Sequence, residues 1–549
     1  MSTRLRLLGP GILLSTACAW RRALTLVCTG AVALSLVACA TEELATSEED
    51  LTSASALERK ASWQSYVYVA AGASDQAIRQ EIQRQVKSAI GALRYPEVAL
   101  QDRDSLSNLD PKGWKKLELA VLDQGKATGQ RVWRVQYPYT DVAMVRAKSP
   151  KGLNLDSFLL FGDYTQRGPE INATCSDDPK TEANSLWFHF APELAKCKAA
   201  IATEIAAINA AHKGLDLAKS VAKVEVERRY LPVRIKLEPV KAPPVLYPDY
   251  DRLWGFGTDR TKVVAYAFFG VDADERNPND VSAVEHFRFL RTLRAKLPKL
   301  TVTQTEPMAM LLDYQVGGKK ITATYDDLAN WIVDNQGFPA TVVSPADRDS
   351  LRKQVVERFA ERTIVWSAPA SVTLGSQTRS ITVEVRTFWG YEDGSPEYRQ
   401  KATWRYLEAF WHGDIFLYQG HSHFGHGPLE PTAYNGGNFP NRYQVMLINS
   451  CVSFNYYDVD FLKMHPGGSK NLDVVVNGLP AYWTKMGEAS ANYLASLIDG
   501  QNKSWIGLLQ AMVVKPSWQP SGYDPMRAVN GELDNTFNAA KTPLKVEYK

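Results

Sequence analysis

Three short apolar runs in the last third of the chain decide its fold: FLYQGHSHFG at residues 416–425, VMLINSCVSF at 445–454 and LDVVVNG at 472–478. Each starts as an almost continuous hydrophobic stretch and then changes to small or polar residues. A fourth run, KVVAYAFFG at 262–270, has the same character. Such runs are typical of strands that are buried on both faces of a parallel sheet. Because helical patterns separate them, the sequence predicts an α/β domain with helices on both faces of the sheet.

Length and composition indicate a globular protein with more than one domain. The chain has 549 residues, of which 45% are hydrophobic and 22% charged. A Pro-rich stretch at 239–254 is the predicted linker between a smaller α+β domain at 60–238 and the α/β domain at 255–549. The net charge of +3 is too small to indicate nucleic-acid binding, and no nucleic-acid partner is predicted.

The first forty residues have the pattern of an export signal. An apolar run at 23–38 ends in the sequence LVAC at 36–39, which resembles the lipobox of bacterial lipoproteins. The resemblance implies that residues 1–38 are removed and that the Cys39 thiol receives fatty acyl chains such as palmitate, which anchor the protein to a membrane. It implies a location in the bacterial cell envelope, facing the periplasm or the cell surface. The acidic residues 39–59 are predicted to form a solvated tether.

The cysteines fall into separate groups. The chain has six, at positions 18, 28, 39, 175, 197 and 451. Signal removal takes the first two, and lipidation uses the third. Cys175 and Cys197 are close in sequence and are predicted to form a disulfide in an oxidising compartment. Cys451 is then left as a free thiol, which is either reactive or a buried inert side chain.

Histidines are concentrated near this thiol. Five of the eight histidines lie between residues 412 and 465. His421 and Cys451 each follow one of the apolar runs, and in an open α/β sheet chemistry occurs beyond the carboxyl ends of the strands. If the two strands are neighbours, both side chains face one crevice. A nearby imidazolium lowers the pKa of a thiol, so this pairing favours a thiolate nucleophile.

The order of these elements resembles the caspase–gingipain–legumain clan of cysteine peptidases. The matching pieces are the three runs quoted first, followed by YLASLIDGQNKSWIGLLQAM at 493–512, and KVVAYAFFG resembles the first strand of that fold. The resemblance covers roughly residues 255–515. It implies that the C-terminal domain is a caspase-like three-layer αβα sandwich, preceded by the smaller α+β domain.

The resemblance also implies roles for particular residues. Cys451 would be the nucleophile that attacks a peptide or protein substrate, and His421 would be its partner. The backbone N–H groups of Ser422 and Cys451 would form the oxyanion hole. Gly420 would allow a tight turn and a close approach of the substrate. No cofactor is implied.

The histidine cluster departs from that family and leaves the choice of partner open. In the family the histidine is followed directly by glycine, whereas Ser422 follows His421. The literal His-Gly pair is His426-Gly427. His426 and His423 are therefore alternative partners of the thiol.

Two further functions are compatible with the sequence. His421, His423 and His426 have ligand-like spacing, and His465 or Asp458 would complete a zinc site in a zinc-dependent hydrolase. The other alternative is a catalytically inactive caspase-like lipoprotein that serves as a binding module or scaffold.

Three other polar residues carry simpler interpretations. Asp458 and Asp460 are candidates for selecting a basic side chain, although their interpretation as solvated loop carboxylates is preferred. His189, in the aromatic sequence LWFHF, is predicted to be a packed core histidine.

Overall fold

The computed structural model describes most of the chain beyond the predicted export signal. The described residues are 51–101, 109, 111–148, 153–178, 180–272, 276–305, 312–391, 396–422, 428–482 and 484–549. The predicted signal peptide and Cys39 lie outside them. Within these ranges no helix is both long enough and apolar enough to cross a bilayer.

Helices and strands alternate through the second half of the chain. The strands are β1 (Thr52–Ser53), β2 (Ala56–Ala70), β3 (Val98–Leu100), β4 (Lys115–Asp123), β5 (Lys126–Arg146), β6 (Asn154–Leu160), β7 (Ser220–Ala222), β8 (Tyr230–Pro239), β9 (Lys262–Gly270), β10 (Thr301–Thr305), β11 (Asp313–Val316), β12 (Lys319–Thr322), β13 (Arg362–Leu374), β14 (Gln377–Gly390), β15 (Ile415–Gln419), β16 (Gln444–Ile448), β17 (Leu472–Asn477), β18 (Arg527–Asn530) and β19 (Leu544–Tyr548). The helices are α1 (Asp75–Arg94), α2 (Gly168–Cys175), α3 (Leu186–His189), α4 (Ala195–Ala211), α5 (Lys223–Val226), α6 (Tyr250–Leu253), α7 (Val281–Lys296), α8 (Tyr325–Ala329), α9 (Pro345–Phe359), α10 (Pro396–His412), α11 (Ser453–Met464), α12 (Met486–Ile498) and α13 (Trp505–Ala511).

The large sheet has the strand order β1-β18-β17-β16-β15-β9-β14-β13-β10, and β19 pairs with β13. Its centre is parallel: β14, β9, β15, β16 and β17 run in the same direction. The outer strands β18, β13 and β10 are antiparallel to their inner neighbours. The four apolar runs of the sequence form β9, β15, β16 and β17, which are consecutive in the sheet.

The central strand β9 is covered on both faces, which explains its unbroken hydrophobic sequence. All of its residues after Lys262 are buried. Alternate side chains lie in different hydrophobic clusters, as the two-residue period of a strand requires. One cluster contains Val263, Ala265, Ala267 and Phe269, and the other contains Val264, Tyr266 and Phe268. The first includes side chains of α7, α12 and α13, and the second includes side chains of α10 and α11. The predicted α/β class is confirmed.

The second sheet is built from the first part of the chain. Its order is β6-β8-β2-β5-β4-β7, and β3 also pairs with β5. Neighbouring strands are antiparallel except for β4 and β7. Helix α1 packs its apolar face against this sheet, so that Ile78 and Ile82 lie in one cluster with Trp63 and Tyr137. Ser74 begins the helix by accepting a hydrogen bond from the Ala77 N–H.

Residues 51–59, the end of the stretch predicted as a tether, form β1 and the start of β2. Thr52 pairs with Val529 of β18, and its N–H donates to the buried carboxylate of Glu532 at 2.9 Å. The end of the Pro-rich stretch is also ordered, since Trp254 and neighbouring α6 are buried in the core of the large sheet. Residues 49–549 form one compact unit.

Candidate functional site

Two neighbouring parallel strands place His421 and Cys451 at the same edge of the large sheet. Strand β15 pairs with β16 from Ile415↔Val445 to Tyr418↔Ile448. The pairing continues one step further, because the Asn449 N–H donates to the Tyr418 carbonyl at 2.8 Å. The chain then turns away from the sheet on both strands, and the two turns contain His421 and Cys451.

Hydrogen bonds hold the two turns against each other. The Ser422 hydroxyl donates to the Cys451 carbonyl and lies 3.2 Å from the Ser450 hydroxyl. The Tyr457 hydroxyl of α11 donates to the Ser422 carbonyl. Ser422 is buried, so its contacts are shielded from water. The hydrogen bonds of Ser422 therefore hold the turn that contains His421 against the turn that contains Cys451.

His421 and Cys451 line a single cavity of about 660 Å³. Part of its wall comes from the loops of the large sheet, namely His421, Ser422, Cys451, Val452, Tyr456, Pro480 and Tyr482. The rest comes from the first part of the chain, namely Arg94, Asp177, Asp178, Ser185, Phe188 and His189. The cavity therefore lies between one edge of the large sheet and the segment of α1–α3, so that residues distant in sequence line it together with Cys451.

Cys451 is half-buried as a residue and packs against one of the hydrophobic clusters of the large sheet. Its sulfur lies 3.6 Å from the Ala481 carbonyl. Burial raises the pKa of the Cys451 thiol, while the Ala481 contact and the charge of Arg94 act in the opposite direction. The thiol is therefore held in its protonated form more strongly than an exposed cysteine, and a base is needed to generate the thiolate.

His421 is oriented by a carboxylate that sequence reasoning missed. Its Nε2 atom lies 3.0 Å from Oδ1 of Asp272, and the Tyr418 hydroxyl donates to the His421 carbonyl at 2.6 Å. Asp272 comes two residues after β9, the strand next to β15, so it lies at the same sheet edge. A polar residue directly after a predicted buried strand was the available signal.

The turn after the thiol is strained. Val452 has φ 44° and ψ 36°, in the left-handed region that β-branched residues rarely adopt. It is followed by α11, so Cys451 lies just before the N-terminus of a twelve-residue helix. A strained turn between a strand and a helix exposes a side chain at the strand end, and such strain concentrates at functional sites. The positive end of the helix dipole favours a thiolate there.

A buried network of amide side chains joins the strand ends next to the site. The Asn477 amide at the end of β17 donates to Oδ1 of Asn449 at 3.0 Å and to the Ser450 carbonyl at 2.9 Å. Asn449 donates to the Ser490 hydroxyl of α12, which in turn donates to Gln419 at the end of β15. Sequence reasoning missed this network too, although three of the apolar runs contain an amide residue at the strand end.

The first part of the chain contributes a second imidazole–carboxylate pair. Nδ1 of His189 lies 2.9 Å from Oδ1 of Asp177, and Asp177 also forms an ion pair with Arg94. His189 is partly exposed at the cavity wall. The prediction that it is a core histidine was wrong: Trp187 and Phe190 are buried, whereas His189 lies at the cavity with the Phe188 ring packed against it.

The segment that contains this pair is cross-linked. Cys175 at the end of α2 and Cys197 in α4 form a disulfide, and both are buried. Within the loop, the Ala191 N–H donates to the Cys175 carbonyl, and the Asp177 N–H donates to the His189 carbonyl. The disulfide and these hydrogen bonds position Asp177 and His189 at the cavity.

The other residues proposed as metal ligands are not gathered around the thiol within the described ranges. His423 and His426 lie outside the described residues. His465 is buried near the start of β16, the end opposite Cys451, with Nε2 2.8 Å from Gln444 Oε1; burial lowers the pKa of His465 to about 4. Asp458 is buried and accepts hydrogen bonds from Gln101 and Asn530. Among the described residues, no group of three or more His, Cys, Asp and Glu side chains has the geometry of a metal site.

Asp458 is also poorly placed to select a basic side chain of a substrate, because it is buried in that hydrogen-bonded group.

Comparison with family models, with curated proteins and with solved structures found no match to this chain.

Proposed function

We propose that this chain is a cysteine peptidase of the caspase–gingipain type, anchored in the bacterial cell envelope through a lipid on Cys39. The observation that carries the proposal is that Cys451 and His421 open on one cavity from the ends of adjacent parallel strands. In this proposal the large sheet and its helices form a caspase-like three-layer αβα sandwich. The second sheet, built from the first part of the chain, belongs to the smaller α+β part.

The reaction proposed is acyl transfer to sulfur. His421 takes the thiol proton of Cys451 as the sulfur attacks the carbonyl carbon of a peptide bond. Asp272 holds the imidazole through Nε2 and stabilises the imidazolium, so the proton exchange is assigned to Nδ1. The C–N bond breaks as the imidazolium gives its proton to the leaving amine. Water then hydrolyses the thioester, which releases the acid product and restores the thiol.

The tetrahedral intermediate needs donors for its oxyanion. The backbone N–H groups of Ser422 and Cys451 are proposed for this role, because the hydrogen bonds between the two turns hold them close to each other. Removing one such donor costs about 2.7–4 kcal/mol of transition-state stabilisation in other hydrolases. The polar contacts of Ser422 would thus align the oxyanion hole as well as join the turns.

A peptidyl acyloxymethyl-ketone probe tests the nucleophile. We expect the probe to label the wild-type protein and to fail completely with Cys451→Ala. His421→Ala should label far more slowly, whereas His423→Ala should retain most of the labelling. Equal labelling of Cys451→Ala would end the nucleophile assignment, and full labelling of His421→Ala would reassign the base.

The alternative function is a binding lipoprotein with the same fold and an inactive dyad. The observation that favours it is the burial that raises the pKa of the Cys451 thiol. Absence of labelling in a wild-type protein that unfolds cooperatively would support this alternative. Retention of stoichiometric zinc after dialysis would instead support the zinc-dependent hydrolase.

A further inference from the structure

Four exposed large apolar side chains surround one cavity beside the thiol. They are Tyr95, Tyr482, Val513 and Trp518, with exposed fractions of 45%, 58%, 37% and 49%. All four line a cavity of about 780 Å³. Single exposed apolar residues are common on protein surfaces, but a cluster around a concavity marks a binding site.

The aromatic side chains of this cavity are held in place by ring packing and hydrogen bonds. Trp518 packs edge-on against Tyr523 and Tyr482, with ring centroids 4.8 and 5.7 Å away. The Tyr523 hydroxyl donates to the Pro480 carbonyl. The backbone N–H of Tyr523 donates to the Val514 carbonyl at 2.7 Å. Tyr523 thus ties the segment before β18 to the loop after β17. Rings held in place in this way lose little conformational entropy when a ligand binds.

The aromatic cavity is adjacent to the cavity of Cys451. Arg94, Asp177, Pro480 and Tyr482 line both of them. Moreover, Ala481, whose carbonyl contacts the Cys451 sulfur, lies in the chain between Pro480 and Tyr482. A chain that presents a carbonyl carbon to the sulfur can therefore extend a neighbouring side chain past Tyr482 into the aromatic cavity.

The three carboxylates that border the aromatic cavity, those of Glu97, Asp177 and Asp524, all have partners. Arg94 forms an ion pair with Asp177, and Arg146 forms one with Glu97 at 3.0 Å. Asp524 accepts a hydrogen bond from the Arg527 N–H at 2.9 Å. Since these carboxylates are already engaged, they are poor partners for a basic side chain, whereas the exposed aromatic rings favour an apolar one.

We propose that the aromatic cavity is a specificity subsite that binds a Phe, Tyr, Trp or large aliphatic side chain of the peptide substrate. This inference rests on the proposed function and names the substrate class for it. Trp518 and Tyr482 are the specificity-determining residues, and they contact the substrate without taking part in the bond changes at Cys451.

A peptide series in which one Phe is moved through the positions around the cleaved bond tests the subsite in the full chain. At one position, Phe in place of Ala should raise kcat/KM at least about tenfold, as expected for an apolar pocket. Trp518→Ala should remove that preference, and Trp518→Phe should keep most of it. Trp404→Ala is the matched control, because Trp404 is 63% exposed and borders neither cavity.

Binding to the Cys451→Ala protein separates the subsite from the peptidase. Fluorescence anisotropy should show tighter binding of the best Phe peptide than of its Ala counterpart, and a further Trp518→Ala change should abolish the difference. This binding result without any hydrolysis by the wild type would support the subsite and contradict the peptidase. Hydrolysis at Cys451 without a Phe preference, or with one that Trp518→Ala leaves intact, would overturn the subsite alone.

Discussion

The reactivity of the Cys451 sulfur depends on opposing effects on the pKa of its thiol. Burial favours the neutral thiol, whereas Arg94, the Ala481 contact and the N-terminus of α11 favour the thiolate. Burial is the largest of the effects on the pKa, and its direction is upward. His421 therefore acts in the proposed reaction as a base at the moment of attack and does not maintain a permanent thiolate.

Alkylation by iodoacetamide measures this directly. Because only the thiolate reacts, the rate at Cys451 should be low at pH 7 and should keep rising beyond the ordinary thiol pKa of about 8.5. Mass spectrometry of the Cys451 peptide gives the rate at each pH. In the Cys451→Ala protein the corresponding adduct is absent. A rate that is already constant above pH 6 would mean that the imidazolium outweighs burial.

Asn477 supports the site without facing it. Its amide satisfies both Asn449 and the Ser450 carbonyl in a buried environment. We expect Asn477→Ala to lower the free energy of unfolding by about 1–3 kcal/mol, because buried polar partners lose their hydrogen bonds. Urea unfolding measures the loss, and Asn154→Ala at the exposed start of β6 is the control. An effect no larger than that of the control would show that the network adds nothing to stability.

At the scale of elements, the disulfide between α2 and α4 holds the segment that borders the cavity. It links residues 22 positions apart, and the enclosed loop contains Asp177 and His189. The loop borders the same cavity as Cys451 without belonging to either sheet, so its position depends on its own cross-link and on the ion pair with Arg94.

Replacing both cysteines tests the contribution of this element. For a loop of this length, the Cys175→Ala/Cys197→Ala protein should lose about 3 kcal/mol of unfolding free energy. Limited proteolysis should then cut first between the two positions. Thermal and urea unfolding of the two proteins provide the comparison. Unchanged stability together with an unchanged cleavage pattern would show that packing alone holds the segment.

At the scale of the whole molecule, the buried carboxyl of Glu532 joins the segment after β18 to the first strand, β1. Glu532 is fully buried, accepts a hydrogen bond from the Thr52 N–H, and has a pKa that burial raises well above the usual range. The unfolded chain releases this proton near the ordinary glutamate pKa of about 4.3, whereas the folded chain retains it to higher pH. The folded state binds more protons in that window, so Glu532 makes stability fall as pH rises.

Glu532→Gln should reduce that pH dependence. The variant cannot ionise at this position, so its unfolding free energy should fall less between pH 4.5 and 7 than that of the wild type. The difference in slope is at most about 1.4 kcal/mol per pH unit. Glu547→Gln, at an exposed position in β19, is the control. Parallel curves for Glu532→Gln and the wild type would contradict a retained proton on Glu532.

The local sequence determined the strands that build the site. Runs such as 263–269 and 445–448 are apolar at every step, and only a strand covered on both faces buries all of those side chains. The positions of His421 and Cys451 directly after two such strands followed from the same reasoning. Cys175 and Cys197, near in sequence, are joined in the structure as their spacing indicated.

Only the tertiary structure decided which residues meet at the thiol. Asp272 is 149 positions from His421, and Asp177 and His189 come from the segment of α2 and α3 in the first part of the chain. No periodicity in the sequence encodes such contacts, because they depend on which strands become neighbours and on which surfaces the two sheets bury against each other. The aromatic cavity has the same origin: Tyr95, Tyr482 and Trp518 belong to three separate segments that become adjacent when the sheets pack.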